Sequence, residues 1–140
     1  MPTILVAHRD LAFGEGLAAA LRAGGYRVMT CPGPRAYQCR LRCDPDACPL
    51  IQDADLLLYD PHLTRYDADG QRYNVAVVAA LAHPDVPMLL AWPPAETPRA
   101  GALRILRDQA PHIGLAEHDA TALVRQVDVL LAPAAARIPR

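Results

Sequence analysis

The chain has 140 residues, a formal net charge of −1 and 52% hydrophobic residues. This length is typical of one domain with a substantial core. The near-neutral charge argues against direct nucleic-acid binding, and the apolar runs are shorter than the roughly 20 residues of a membrane span. Because the amino terminus lacks the charged and apolar regions of a secretory signal, we expect a cytoplasmic protein.

Short apolar runs alternate with helical patterns along the chain. The runs predict strands over residues 3–7, 26–30, 54–60, 86–92 and 112–116. Helices are predicted over 11–25, 71–82, about 99–109 and 120–131, the last one capped by Asp119. This alternation predicts a three-layer α/β/α sandwich with a parallel sheet. We assign residues 1–132 to this domain and residues 133–140 to a flexible tail.

The cysteines form a cluster that interrupts the α/β pattern. All four lie within eighteen residues, at Cys31, Cys39, Cys43 and Cys48. Prolines confine any helix here to about 34–43, on which Cys39 and Cys43 share a face. In a reducing compartment, clustered cysteines indicate metal or redox chemistry more often than disulfides. Residues 31–52 are therefore interpreted as a cysteine-rich insertion with a chemical role.

Four interpretations of this insertion remain open. The spacing lacks the paired C-x-x-C knuckles of a strong zinc signature. A structural or sensory Zn²⁺ ion held by the four cysteines would order a proline-rich segment that has little apolar surface. An iron–sulfur cluster on the same ligands would make a redox sensor, as would a reactive thiol pair at Cys39 and Cys43. Free thiols, or one to two disulfides formed after purification, are the remaining possibility. We predict zinc.

Polar residues follow the predicted strands, at the sheet edge where α/β proteins place their functional groups. These residues are His8, Arg9, Asp10, Asp60, His62, Trp92, Ala116 and Glu117. The two histidines on neighbouring strand ends suggest a metal site with Asp60. Hydrogen-bonded loop histidines are the simpler alternative.

Four runs carry a resemblance to a known family: ILVAHRDLAFGEGLAAAL from residue 4, GGYRV from 24, ADLLLYDPHL from 54 and HPDVPMLLAW from 83. Their order and spacing resemble a response-regulator receiver domain, and among receivers those of the nitrate-regulator type. The resemblance implies the CheY-like fold, with a five-stranded sheet in the order 2-1-3-4-5. It also implies that Asp60 stands at the phosphoacceptor position.

The rest of the receiver active site departs from the family pattern. By the resemblance, the two acidic magnesium ligands would fall at His8 and Arg9, leaving only Asp10 beside them. The switch threonine or serine would fall at Trp92, and the lysine at Ala116. Because phosphoryl transfer needs a divalent cation and positive charge, we predict a non-enzymatic pseudo-receiver. Asp60 would then pair with Arg9 or accept hydrogen bonds from nearby amides. A stand-alone response regulator phosphorylated on Asp60 is the alternative.

The last strand and the last helix are the predicted surface for a protein partner, as in many receivers. Most apolar residues of the helix 120–131 have core-like spacing. Val124 and Val129 lie off that stripe and are expected to form a small exposed patch. A homodimer with two-fold symmetry is the simplest use of such a patch.

Overall fold

Seven strands and four helices are defined in a computed structural model, which describes residues 1–31, 48–66, 70–94, 96, 104, 107, 108 and 112–132. The strands are β1 (Thr3–Ala7), β2 (Arg27–Cys31), β3 (Leu56–Tyr59), β4 (Thr64–Tyr66), β5 (Arg72–Asn74), β6 (Met88–Leu90) and β7 (Ile113–Leu115). The helices are α1 (Leu11–Ala23), α2 (Pro49–Gln52), α3 (Val75–Ala82) and α4 (Ala120–Leu131).

Five of these strands form a parallel sheet in the order β2-β1-β3-β6-β7. Counted along the chain, this is the order 2-1-3-4-5, with helices on both faces of the sheet. The predicted fold class is therefore confirmed. The remaining strands, β4 and β5, pair with each other in an antiparallel hairpin that the sequence did not predict.

The central strands are apolar on both faces because both faces are covered by helices. Ile4 and Val6 of β1 pack into one cluster with α1 and α4, and Leu5 and Ala7 pack into a second cluster with α2 and α3. Alternate residues of each strand point to opposite faces, which explains the unbroken apolar runs of the sequence.

Side-chain caps fix where the longer helices begin. Asp10 accepts a hydrogen bond from the amide of Phe13 at 3.0 Å, and Asp119 accepts one from Ala122 at 2.9 Å. Such caps satisfy amides that have no partner inside the helix. The last helix, α4, has the bounds that the sequence predicts.

The prediction of a helix over residues 71–82 is wrong at its start. Residues 72–74 belong to strand β5, and the helix begins at Val75. Asn74 caps it by accepting a hydrogen bond from the amide of Val77 at 3.1 Å. Before it, Gly70 adopts a φ of +78°, which glycine tolerates and which turns the chain into β5.

The cysteine-rich insertion is only partly described. Its last residues form α2, where Cys48 and Ile51 lie in the core beside the sheet. This part of the insertion therefore belongs to the core. The predicted helix at 34–43, Cys39 and Cys43 lie outside the described residues, as does the tail 133–140. Of the helix predicted over 99–109, Arg104, Arg107 and Asp108 are described, and they are helical.

Within the described part of the chain, no helix combines the length and the apolar character that crossing a bilayer requires.

Candidate functional site

The carboxyl ends of β1, β3 and β6 meet at one edge of the sheet. Backbone hydrogen bonds tie them together: Asp60 donates to Ala7 at 2.8 Å, and Ala91 donates to Tyr59 at 2.9 Å. These bonds bring the residues that follow each strand into one cluster, which we call the strand-end site: His8, Arg9, Asp60, His62, Trp92 and Glu96.

Asp60 lies at the centre of this site and is fully buried, with 0% exposure. Its Oδ1 accepts a hydrogen bond from the amide of His62 at 2.8 Å. Its Oδ2 accepts one from the amide of Arg9 at 3.1 Å, and the Nε of Arg9 lies 2.9 Å away. The Nε approach is a charge contact and not a well-aligned hydrogen bond. Both carboxylate oxygens are thus occupied by the chain itself.

Arg9 joins this buried carboxylate to a second, half-exposed one. Its Nη2 donates hydrogen bonds to both carboxylate oxygens of Glu96, at 3.1 Å to Oε1 and at 3.3 Å to Oε2. The Nε2 of His62 lies 3.5 Å from the Oε2 of Glu96. One guanidinium therefore bridges Asp60, which follows β3, and Glu96 of the loop after β6. Such multiple contacts suit the planar fork of arginine better than the point charge of lysine.

Glu96 is the member of the site that sequence reasoning missed. It lies beyond β6, after the pair Pro93 and Pro94, and its amide donates to the carbonyl of Pro93 at 2.9 Å. This turn brings the carboxylate back over the strand ends. A carboxylate shortly after a predicted strand end was the signal available in the sequence.

His8 is buried and fully engaged. Its Nε2 lies 3.1 Å from the carbonyl oxygen of Ala91, and its Nδ1 accepts a hydrogen bond from the amide of Asp10 at 3.0 Å. These partners define the tautomer in which Nε2 carries the proton. With Nδ1 used as an acceptor, its 3.7 Å approach to Asp60 Oδ2 is not an ion pair.

The suggested metal site of His8, His62 and Asp60 does not assemble. Both ring nitrogens of His8 have partners, and the ring of His62 is directed to Glu96 and lies edge-on to Trp92, with ring centroids 6.1 Å apart. Across the described ranges, no group of three or more metal-ligating side chains converges. The alternative of hydrogen-bonded histidines describes His8 correctly.

The other strand-end positions are packed or used as caps. Trp92 is buried within the core cluster of α2 and α3, and Ala116 lies in the cluster of α1 and α4. Asp10 caps α1 through its Oδ1. Trp92 and Ala116 therefore offer the site no carboxylate, hydroxyl or amine, and the Oδ1 of Asp10 is used by the cap.

Of the four cysteines, the structure describes two. Cys48 is buried at the start of α2, and Cys31 is half-buried at the end of β2 and packs against the same core cluster. A small cysteine packed among apolar side chains commonly serves as a core residue. Cys39 and Cys43 lie outside the described residues, so the geometry of the four sulfurs is open.

Comparison with known proteins relates the chain to solved structures alone: no protein-family model and no curated protein matches it. A CheY-like response-regulator receiver domain from Methanospirillum hungatei has a TM-score of 0.63 at 12% identity, over 91% of each chain. A protein from Burkholderia pseudomallei described as related to pilus assembly has the same TM-score at 18% identity, over 100% of this chain and 93% of its own. A chemotaxis response regulator from Vibrio cholerae has a TM-score of 0.59 at 12% identity, over 94% of this chain and 99% of its own.

The chain has the CheY-like receiver fold. The identities are far too low to carry function across, so the comparison establishes the architecture and the place of the strand-end site within it. Asp60 follows β3, the strand at whose end the sequence resemblance implies the phosphoacceptor. Arg9 and His8 occupy the positions where that resemblance places magnesium-binding acids.

Proposed function

We propose that this chain is a pseudo-receiver, a non-enzymatic signalling module that acts through contacts with protein partners. The observation that carries the proposal is the Arg9 guanidinium lying on the buried carboxylate of Asp60. The resemblance of residues 4–21 to nitrate-regulator-type receivers supports an origin among receivers. The near-neutral charge supports action through protein and not nucleic acid, and we place the module in the cytoplasm.

Phosphorylation of Asp60 would require three things that the site opposes. The attacking oxygen must be accessible, whereas Asp60 is fully buried with both oxygens occupied. A divalent cation must bind carboxylates beside it, whereas Arg9 places a fixed positive charge there. A further cation must neutralise the transferred group, whereas the lysine position is Ala116 and the chain contains no lysine.

Incubation with acetyl phosphate and Mg²⁺, followed by intact-mass measurement, tests this proposal. We expect no mass gain for the wild-type chain while an active receiver in the same mixture is phosphorylated. Asp60→Asn is the matched control variant. A phosphate-sized gain in the wild type that is absent from Asp60→Asn would establish the alternative, a response regulator phosphorylated on Asp60.

We also propose that Cys31, Cys39, Cys43 and Cys48 hold one Zn²⁺ ion. The clustering of every cysteine of the chain in one proline-rich insertion supports this proposal. The two described cysteines pack against one core cluster, so an ion between them would lie beside the sheet. Such an ion would order the insertion in place of an apolar core.

Elemental analysis and an absorption spectrum of protein purified without air test the metal proposal. We expect colourless protein with one zinc per chain. Brown protein containing iron and sulfide would establish the alternative cluster and a redox role. Metal-free protein whose Cys39 and Cys43 react freely with a thiol reagent would reject both sites. Cys48 is not a suitable reporter in this assay because it is buried.

For partner contact we propose strand β7 and helix α4, with a second copy of the chain as the simplest partner. The exposed Val129 of α4 supports this assignment. Val124 does not contribute, because it is half-buried and packs against α1. The expectation of a patch made by both valines is therefore wrong.

A further inference from the structure

Strand β7 is the last strand in the order of the described sheet, and its outer edge carries backbone groups with no strand beside them. The amide of Ala116 donates inward, to the carbonyl of Leu90 on β6, at 2.9 Å. Because successive residues of a strand direct their backbone groups to opposite sides, the carbonyl of Leu115 and the amide of Glu117 point outward. An exposed edge of this kind is a template for pairing with another chain.

The side chain of Gln126 forms hydrogen bonds with both of these outward-pointing backbone groups. It extends from α4, and its Nε2 donates to the carbonyl of Leu115 at 2.6 Å. Its Oε1 accepts a hydrogen bond from the amide of Glu117 at 2.9 Å. One side-chain amide thus satisfies the acceptor and the donor on either side of Ala116.

This is the pattern that a neighbouring parallel strand would make. In a parallel ladder, one residue of the incoming strand donates to the residue before its partner and accepts from the residue after it. We propose that Gln126 closes the edge of the sheet by standing in for a sixth strand, and that it thereby prevents pairing of β7 with another extended chain. This inference concerns the sheet edge and is independent of the state of Asp60.

The edge of β7 lies beside an open groove. β7 has only three residues, which itself limits pairing, and Gly114 at its centre contributes no side chain to the packing. A Cβ at Gly114 would lie 3.0 Å from the Cδ2 of Leu89, so the Leu89 side chain would have to shift to admit one. An open groove lined by Leu89, Gly114 and the exposed Val129 runs beside the strand. A chain that paired with β7 would have this groove available for its own apolar side chains.

Hydrogen exchange at the Glu117 amide, measured by NMR, tests the contact directly. Gln126→Met keeps the length of the side chain and removes both hydrogen bonds, and we expect exchange at Glu117 to accelerate about tenfold. Arg125→Ala changes the neighbouring exposed position of the same helix and should leave that exchange unchanged. Sedimentation across a concentration series should show stronger self-association than the wild type both for Gln126→Met and for Gln126→Ser, which removes the hydrogen bonds without adding an apolar side chain.

Gln126→Glu distinguishes the hydrogen bonds from simple packing. Its carboxylate can accept from Glu117 and cannot donate to Leu115, whereas its protonated form can do both. We therefore expect exchange at Glu117 in Gln126→Glu to stay close to the wild-type rate, because the acceptor for this amide is kept. Unchanged exchange in Gln126→Met, equal acceleration in Arg125→Ala, or exchange in Gln126→Glu as fast as in Gln126→Met would overturn the contact. Faster exchange without stronger self-association would overturn the protective role.

Discussion

Arg9 determines the chemistry of the strand-end site because its cationic side chain contacts both carboxylates of the site. Its guanidinium meets Asp60 in the interior and Glu96 near solvent. A buried carboxylate without a cation would carry a large desolvation cost. Arg9 offsets this cost by placing its guanidinium on the Asp60 carboxylate.

Replacement of Arg9 by methionine should destabilise the protein by about 2 kcal/mol, because it leaves the Asp60 charge buried without its cation. The expected loss is at the low end for a buried pair because part of the arginine side chain is exposed to solvent. Urea unfolding measures the change. The double variant Arg9→Met/Asp60→Asn should recover most of the loss, since it removes the orphaned charge. If the loss in unfolding free energy of the double variant equals the sum of the losses of the two single variants, the pairing is contradicted.

The environment of Tyr26, at the other end of the molecule, predicts that the stability of the fold depends on pH. Burial, and after it the hydrogen bond and negative charge of Asp128, raise the pKa of Tyr26 from 10.0 to about 12. A folded-state pKa above the unfolded value means that the unfolded chain loses its proton first. The contribution of Tyr26 to stability is therefore complete below about pH 10 and is lost as the pH rises towards 12.

Urea unfolding of the wild type and of Tyr26→Phe at a series of pH values between 9 and 12 tests this dependence. The difference in unfolding free energy between the two proteins should shrink as the pH rises across this range. Because both proteins contain the other tyrosines, their contributions to the pH dependence cancel in this difference. A difference that stays constant with pH would show that Tyr26 ionises alike in both states.

At the scale of elements, the sequence predicted what local patterns determine and missed what depends on neighbours. The apolar runs gave β1 and β3 within two residues at each end, and Asp119 marked the start of α4. The start of α3 was missed because the cap signal of Asn74 was overlooked. Val124 was misjudged because a helix considered alone does not show that α1 lies beside it.

The contact between α1 and α4 provides a test at this scale. Gly24 ends α1 with an ordinary helical φ of −77°, so alanine is compatible with its backbone. A Cβ there, however, would lie 2.9 Å and 3.2 Å from the two methyl groups of Val124. Gly24→Ala should therefore cost about 1–2 kcal/mol, although alanine restricts the unfolded chain.

In a Val124→Ala background the same substitution should be neutral or stabilising, because the clash is absent. Thermal unfolding of the four proteins of this cycle provides the measurement. A stabilising Gly24→Ala in the wild type would mean that the two helices separate at little cost.

At the scale of the whole molecule, the positions of the strand-end residues could be predicted, but their contacts could not. Parallel strands bring His8, Arg9 and Asp60 to one edge whatever the side chains do. The direction of Glu96 depends on the turn at Pro93, and the edge contact of Gln126 depends on how α4 lies against β7. These are consequences of tertiary packing that no spacing in the sequence contains.

Self-association is the property of the whole molecule that the proposed partner surface predicts. Val129 of α4 is 64% exposed, and Leu81 of α3, in the other helix layer, is exposed to a similar degree at 56%. Light scattering over a concentration series should show a dimer that Val129→Asp weakens and Leu81→Asp leaves intact. A monomer at every concentration, or equal effects of the two variants, would remove the homodimer from consideration.

A cation that belongs to the polypeptide has no dissociation constant. Arg9 is present in every copy of the chain, at one per site, and neither a chelator nor a change in magnesium concentration can remove it. In a protein built this way, the occupancy of the site is set when the chain is synthesised. For the pseudo-receiver proposed above, output would then change with how much of the chain is made, where it is held, or which partner competes for it.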